Sequence, residues 1–250
     1  MHLTVIGAGP AYSDRAGSTG AAYLVRTDRS AILLDLGQGS FPRLAGHIDP
    51  ADLDAVVISH LHPDHFIDLV PLRHYLRWEV PLGRVRVIAP AGLTDRLDAL
   101  HDEPGFAAQA LDIEALEAGS FTVGDFSIEA GPVTHTESSF GFRVSVTGDE
   151  GEAGLVYSGD CGRAEDLDPL IRRGDTLICE VSFGPGPVVP GAEHLDGPAV
   201  GALACRTGAA RVLLTHLQMG YDREATLASV RDIYKGPVEI IDPGFEGTID

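Results

Sequence analysis

The residues best equipped for chemistry stand together as Ser59-His60-Leu61-His62-Pro63-Asp64-His65. Three imidazoles and a carboxylate so close in sequence form a donor set that zinc accepts, and manganese or iron accept it too. Side chains alternate along an extended chain, so His60 and His62 face the same side. Pro63 interrupts that alternation, and the turn after it can aim Asp64 and His65 at a neighbouring point. One short motif can therefore give two ligands to each of two adjacent divalent metal ions. A solvated loop merely rich in histidine would explain the motif alone, but not three further candidates. These are His135 in Val133-Thr134-His135-Thr136, Asp160 in Tyr157-Ser158-Gly159-Asp160, and His216 in Leu213-Leu214-Thr215-His216. Singly, each could cap or pack. Each follows a β-like apolar run, where α/β folds place functional groups, and together they complete a site.

Short strands and helices must position these residues. The patterning predicts strands at Leu3–Ile6, Ala22–Arg26, Ala31–Asp35, Ala55–Ser59 and Val85–Ala89. A second set is expected at Phe126–Ala130, Gly141–Val146, Gly154–Ser158, Thr176–Glu180, Arg211–Thr215 and Val238–Ile241. Helices are expected at Asp64–Trp78, Leu93–Leu100, Ala164–Arg173, Leu195–Thr207 and Arg223–Tyr234. The connections are short and no stretch reads as a linker, so residues 1–250 are expected to form one α/β domain. Two sheets packed together with helices outside would bury one face of each. Gly7-Ala8-Gly9-Pro10 suggests a dinucleotide-binding turn, but Tyr12 stands where the third glycine of that fingerprint belongs. A tight turn into a loop is the better reading.

Bulk composition narrows the partners. The 250 residues carry a formal charge of −19, with 18 Lys and Arg against 37 acids. Gripping a long nucleic acid normally takes a basic face, so a long polymer is a poor candidate partner. No apolar run suits a membrane span, and Met1-His2-Leu3-Thr4-Val5-Ile6 reads as a first strand, not a signal peptide. Three widely spaced cysteines fit reduced thiols in the cytoplasm better than a disulfide framework. A homodimer is compatible with all of this.

With its later His, Ser-Gly-Asp and Thr-His segments, the H-x-H-x-D-H motif resembles the metallo-β-lactamase superfamily over nearly the whole chain. The resemblance implies an αββα four-layer sandwich with two metals at one edge of the sheets. It assigns His60, His62 and His135 to the first metal and Asp64, His65 and His216 to the second. Asp160 would bridge both, as in the hydrolase and phosphodiesterase members, with Cys161 as a mere neighbour. Leu34-Asp35-Leu36-Gly37 resembles the Asp-x-Gly segment below the metals, where Asp35 either caps a turn or accepts the second ring proton of a ligand imidazole.

A paired metal centre can activate water and offset charge on an attacked phosphodiester. Protonating the leaving alkoxide then falls to His194 in Ala192-Glu193-His194-Leu195. That stretch resembles the ribonuclease Z segment whose His acts as general acid, although Leu195-Asp196 departs from the family's following residues. The other reading makes His194 a surface residue opening a helix. Glu180 is its natural partner, and Asp64, His194 and Glu180 are the residues expected to act in catalysis. Ribonuclease Z inserts a long RNA-gripping arm between the ligands matching His135 and Asp160, whereas here only residues 136–159 lie between them. His47-Ile48-Asp49-Pro50, the Val-Ile-Ser-His-Leu-His run and Leu177-Ile178-Cys179-Glu180 look like atypical class II cyclic-nucleotide phosphodiesterases. The expected substrate is a small phosphodiester. A ribonuclease Z-like endonuclease and a lactonase or thioesterase are the alternatives, and the last two have no need of His194.

Overall fold

The computed structural model describes residues 1–102, 104–149 and 151–249. In chain order, β1 (His2–Gly7), β2 (Ala22–Arg26), β3 (Ala31–Leu34), β4 (Ala55–Val57), β5 (Val85–Ala89) and β6 (Leu111–Ala115) build one sheet. The second holds β7 (Gly119–Val123), β8 (Phe126–Pro132), β9 (Phe140–Val146), β10 (Leu155–Tyr157), β11 (Thr176–Glu180), β12 (Arg211–Thr215) and β13 (Val238–Ile240). A last short strand, β14 (Glu246–Thr248), returns to the first sheet beside β1. The strand orders are 14-1-2-3-4-5-6 and 13-12-11-10-9-8-7. In each sheet four neighbouring strands run parallel: β3 to β6, and β10 to β13.

The apolar runs of these strands serve two cores at once. Ile32 and Leu34 of β3 point into the space between the sheets, where they meet Phe126, Phe142 and Tyr157. Ala31 and Leu33 point the other way, under α1 (Phe41–His47), α3 (Leu69–Trp78) and α4 (Leu93–His101). The second sheet is covered outside by α5 (Gly197–Thr207) and α6 (Arg223–Ile233), through Val200, Leu203 and Val230. Strands buried on both faces must read as continuous hydrophobic stretches, as these do. The result is an αββα sandwich of four layers.

Every one of the eleven expected strands forms, within two residues of its expected bounds. The helices depart more. The single helix expected over Asp64–Trp78 is two, α2 (Pro63–Phe66) and α3. At the break, Asp68 gives its amide to the Leu36 carbonyl and turns its carboxylate onto the Phe41 amide, capping α1. Of the helix expected over Ala164–Arg173, only a turn of 3₁₀ helix survives, Ala164–Leu167. Pro169 lacks the amide needed to continue it. No described helix is long and apolar enough to cross a membrane.

Candidate active site

All the candidate residues except His194 stand at or just after the carboxyl ends of strands at one edge of the sandwich. Asp35 follows β3, the His60–His65 motif follows β4, and His135 follows β8. Asp160 follows β10, Glu180 ends β11, and His216 follows β12. Loops must cross here at very short range. A Cβ on Gly37 would sit 1.8 Å from the Asp64 carbonyl oxygen, so the Asp35-Leu36-Gly37 turn passes beneath the motif only because it lacks one. The Leu36 amide then hydrogen-bonds the His65 carbonyl at 2.7 Å, which fixes the motif from below. Asp35 and His216 both occupy the left-handed region, at φ 60° and 59°. For non-glycine residues that is a cost of order 1–3 kcal/mol, held in place by the surrounding contacts.

The donor atoms form two nests that share one carboxylate. In the first, His60 Nε2 and His135 Nε2 lie 3.0 Å and 3.1 Å from His62 Nδ1. Asp160 Oδ2 closes it, 3.8 Å from His60 and 3.6 Å from His135. In the second, Asp64 Oδ2 lies 3.2 Å from His216 Nε2 and 3.8 Å from His65 Nε2. Asp160 Oδ1 closes this one, 3.4 Å from His65 and 3.5 Å from His216. A tetrahedral zinc site with bonds of about 2.0–2.1 Å separates its ligands by roughly 3.3 Å, close to this spacing. Among the described residues the buried His65 Nε2 and Asp160 Oδ1 have no hydrogen-bond partner. Buried polar atoms rarely go unsatisfied, because each costs about 1–3 kcal/mol. The donor set therefore fits a metal ion in each nest.

The far side of each imidazole is also held, except at His62. His65 Nδ1 donates to Asp35 Oδ2 at 2.7 Å, and the same carboxylate accepts from the Ser59 amide and hydroxyl and the Tyr157 hydroxyl, all at 2.7 Å. His60 Nδ1 meets Ser59 Oγ at 3.1 Å, and His135 Nδ1 meets the Glu193 carbonyl at 2.8 Å. His216 Nδ1 meets Ser182 Oγ at 3.0 Å, and that hydroxyl donates to Glu180 Oε2 at 2.5 Å. Such partners fix which nitrogen faces the metal. Asp35→Asn removes the acceptor charge behind His65 and disturbs four hydrogen bonds. The expected result is a 10–100-fold weaker second metal site, measured by titration against a chelator of known affinity.

His194 sits beside these nests, on the loop before α5 and not in a helix. Pro198 and the Asp196 side chain, which accepts from Ala199 N at 3.0 Å, start the helix at Gly197 instead. Nor is His194 a surface residue: its side chain is 18% exposed, with Nδ1 2.9 Å from Glu180 Oε1. Glu180 is wholly buried and also accepts from the Cys161 and Ser182 amides. Burial disfavours the His194 proton, but the Glu180 hydrogen bond and charge, with Asp160 and Asp64 beyond, raise its pKa to about 8. Burial would raise the Asp160 pKa, yet the facing His216, His65 and His60 hold this carboxyl well below the usual range. Burial and the neighbouring His65 hold His60 neutral, the form a ligand needs.

The seven expected metal ligands thus converge, with His194 and Glu180 beside them. Among the described residues, donor atoms of His60, His62, His135 and Asp160 group together, as do those of Asp64, His65 and His216. A third group joins Asp160, His194 and His216. Sequence reasoning missed Ser59, Tyr157 and Ser182. Ser182 had a readable signal, since two residues after Glu180 it shares that side of an extended segment. Tyr157 had none, because it reaches Asp35 across the gap between the sheets.

A family model described as the Beta-lactamase superfamily domain matches residues 32–217, a span containing all seven donors. The chain belongs to the β-lactamase superfamily. An uncharacterized protein of Mycobacterium tuberculosis is 31% identical over 232 residues, covering 90% of this chain and 84% of that one. The probable metallo-hydrolase YhfI of Bacillus subtilis is 26% identical over 245 residues, 98% of each chain. Its crystal structure matches with a TM-score of 0.86 at 23% identity, again over 98% of both. Ribonuclease Z of Mycobacterium bovis is 27% identical over 198 residues, 71% of this chain and 69% of that one. The protein is a metallo-hydrolase of this superfamily, in its ribonuclease Z-like branch, and among the described residues the two nests belong to a His/Asp cluster able to bind metal.

Proposed function

We propose that this metallo-hydrolase binds two divalent metal ions, zinc foremost, and hydrolyses a small phosphodiester such as a cyclic nucleotide. The observation that carries the reading is His194, a half-buried proton donor held by Glu180 at the lip of a seven-donor cluster. Hydrolysis of a phosphodiester leaves a strongly basic alkoxide, and a positioned acid is what that step requires. With His60, His62 and His135 as one ligand set, Asp64, His65 and His216 as the other, and Asp160 shared, each ion would have four protein donors. When bound, the ions supply Lewis-acid charge that acidifies water and offsets the charge of the reacting phosphoryl group.

The chain's own residues do the rest. Glu180 takes the Nδ1 proton of His194 as a hydrogen bond, which leaves Nε2 to carry the proton delivered to the leaving oxygen. Ser182 ties the same carboxylate to His216, so the acid and a ligand are aligned by one buried group. Asp35 and Ser59 orient His65 and His60 in the same way. A lactonase would need the ligands but not His194.

The chain between His135 and Asp160 supports a small substrate. Its described residues are taken up by β9, β10 and their turns, and among them there is no long arm to clasp RNA. Metal-loaded enzyme should be offered 3′,5′-cyclic AMP, bis-p-nitrophenyl phosphate, a transfer-RNA precursor, a homoserine lactone and nitrocefin. The small phosphodiesters should turn over fastest. Faster cleavage of the RNA precursor would restore the ribonuclease reading, and a lactone preference would end the phosphodiesterase one.

A further inference from the structure

We propose a second binding site, for a small phosphate-type anion, in a cavity that His216 lines but none of the other six proposed metal donors does. The inference does not depend on which ester the enzyme cleaves. It starts from the glycine-bearing turn Gly7-Ala8-Gly9-Pro10, which leads into the long loop between β1 and β2. That loop walls a cavity of about 330 Å³, closed on other sides by α1, the start of α6, and the His216-Leu217 backbone. The volume is at the lower end of the range for small-molecule pockets.

Three guanidinium groups line this one cavity, from Arg15 on the loop, Arg43 on α1 and Arg223 at the start of α6. In a chain of net charge −19 that is a marked local reversal. Arg223 is neutralised by Asp242, through bonds of 2.9 Å and 2.7 Å. Arg15 and Arg43 are not. Arg15 Nη1 donates to the Leu217 carbonyl at 2.8 Å and Arg43 Nη2 to the Gly17 carbonyl at 3.1 Å. Among the described residues neither is paired with a carboxylate. Each guanidinium carries five N–H donors, so most of both forks stay available to a ligand.

The two forks come from separate elements, and this selects the ligand. One planar carboxylate is satisfied by a single guanidinium fork. A tetrahedral oxyanion has enough acceptor positions for two, and the Ser18 hydroxyl in the same wall adds a further donor. Apolar side chains such as Ile241 and Pro243 complete the lining and can shelter a small organic group on the phosphate. The Leu217 carbonyl held by Arg15 is the residue after a proposed metal ligand, so the site shares a wall with the catalytic edge.

Equilibrium dialysis of the metal-loaded enzyme against radiolabelled phosphate tests this. Phosphate can also bind at the metal centre, so wild type should show two binding classes. Arg15→Ala/Arg43→Ala should lose one class, weakened tenfold or more, and keep the other with unchanged metal content. Identical binding in wild type and the folded double variant would overturn the proposal. Should that variant fail to fold, Arg43→Ala alone still tests it, because Arg43 is exposed and among the described residues donates only to Gly17. Arg43→Lys should restore part of what Arg43→Ala loses. Crystals soaked in tungstate give an independent reading: an anomalous peak between Arg15 and Arg43 supports the site, and tungstate at the metal cluster alone refutes it. Glycerol phosphate displacing the label more tightly than phosphate would mark the ligand as a phosphate monoester; weaker displacement would mark inorganic phosphate.

Discussion

His194→Ala should keep both metals yet lower kcat for an unactivated phosphodiester by roughly 10²–10⁴-fold, the usual contribution of a positioned general acid. The same substitution should largely spare a p-nitrophenyl ester, whose phenolate leaves without a proton. The contrast arises because His194 is not one of the seven proposed ligands; its shortest bond is to Glu180, with Ser182 Oγ at 3.3 Å and the His135 ring beside it. A pH profile gives a second readout. The His194 pKa is raised to about 8, so its proton is present below that pH and lost above it. Positive charge from bound metals acts in the opposite direction and shifts the limb downward. Wild-type turnover of the unactivated ester should therefore fall on the alkaline side, and His194→Ala should lack that limb. Equal loss on both substrates at full metal occupancy would remove His194 from the mechanism.

Glu180 explains why this acid was only half legible in the sequence. The His194 and Glu180 pair could be guessed from residue types, with a surface position at a helix opening at Leu195 as the competing reading; Asp196 and Pro198 start that helix at Gly197 instead. The seven donors were easier, because all of them follow apolar strands whose identity survives any error of a residue or two. What failed was weakly patterned. β6 reads Leu-Asp-Ile-Glu-Ala and β7 reads Gly-Ser-Phe-Thr-Val, both largely solvent-facing edge strands at the same end of their sheets. β14 is three residues long and exists because it pairs with β1. α1 contains Pro42 and Gly46, poor material for a helix, and owes its position to buried Leu44 and to the Asp68 carboxylate on its first amide. These are tertiary causes, absent from any local window.

Asp160 carries the largest expected effect, because its two oxygens each close one nest. Oδ2 faces His60 and His135, and Oδ1 faces His65 and His216, at distances from 3.4 Å to 3.8 Å. Wild-type protein purified without chelator should hold close to two metal ions per chain by elemental analysis. Asp160→Ala should deplete both and lower turnover by more than about 10³-fold, since several kcal/mol of charge stabilisation leave with the metals. Asp160→Asn is the sharper variant: it keeps the side chain's shape but removes the charge and one of the two acceptor oxygens. It should retain the fold and still lose metal from both nests. His60→Ala belongs to one nest alone, so it should leave roughly one ion per chain, held by Asp64, His65 and His216. Equal depletion by His60→Ala and Asp160→Ala would mean the nests do not fill independently and that this partition is wrong. A fully loaded wild type that never exceeds one ion would remove the paired centre itself, and with it the reason for a shared carboxylate at the tip of β10.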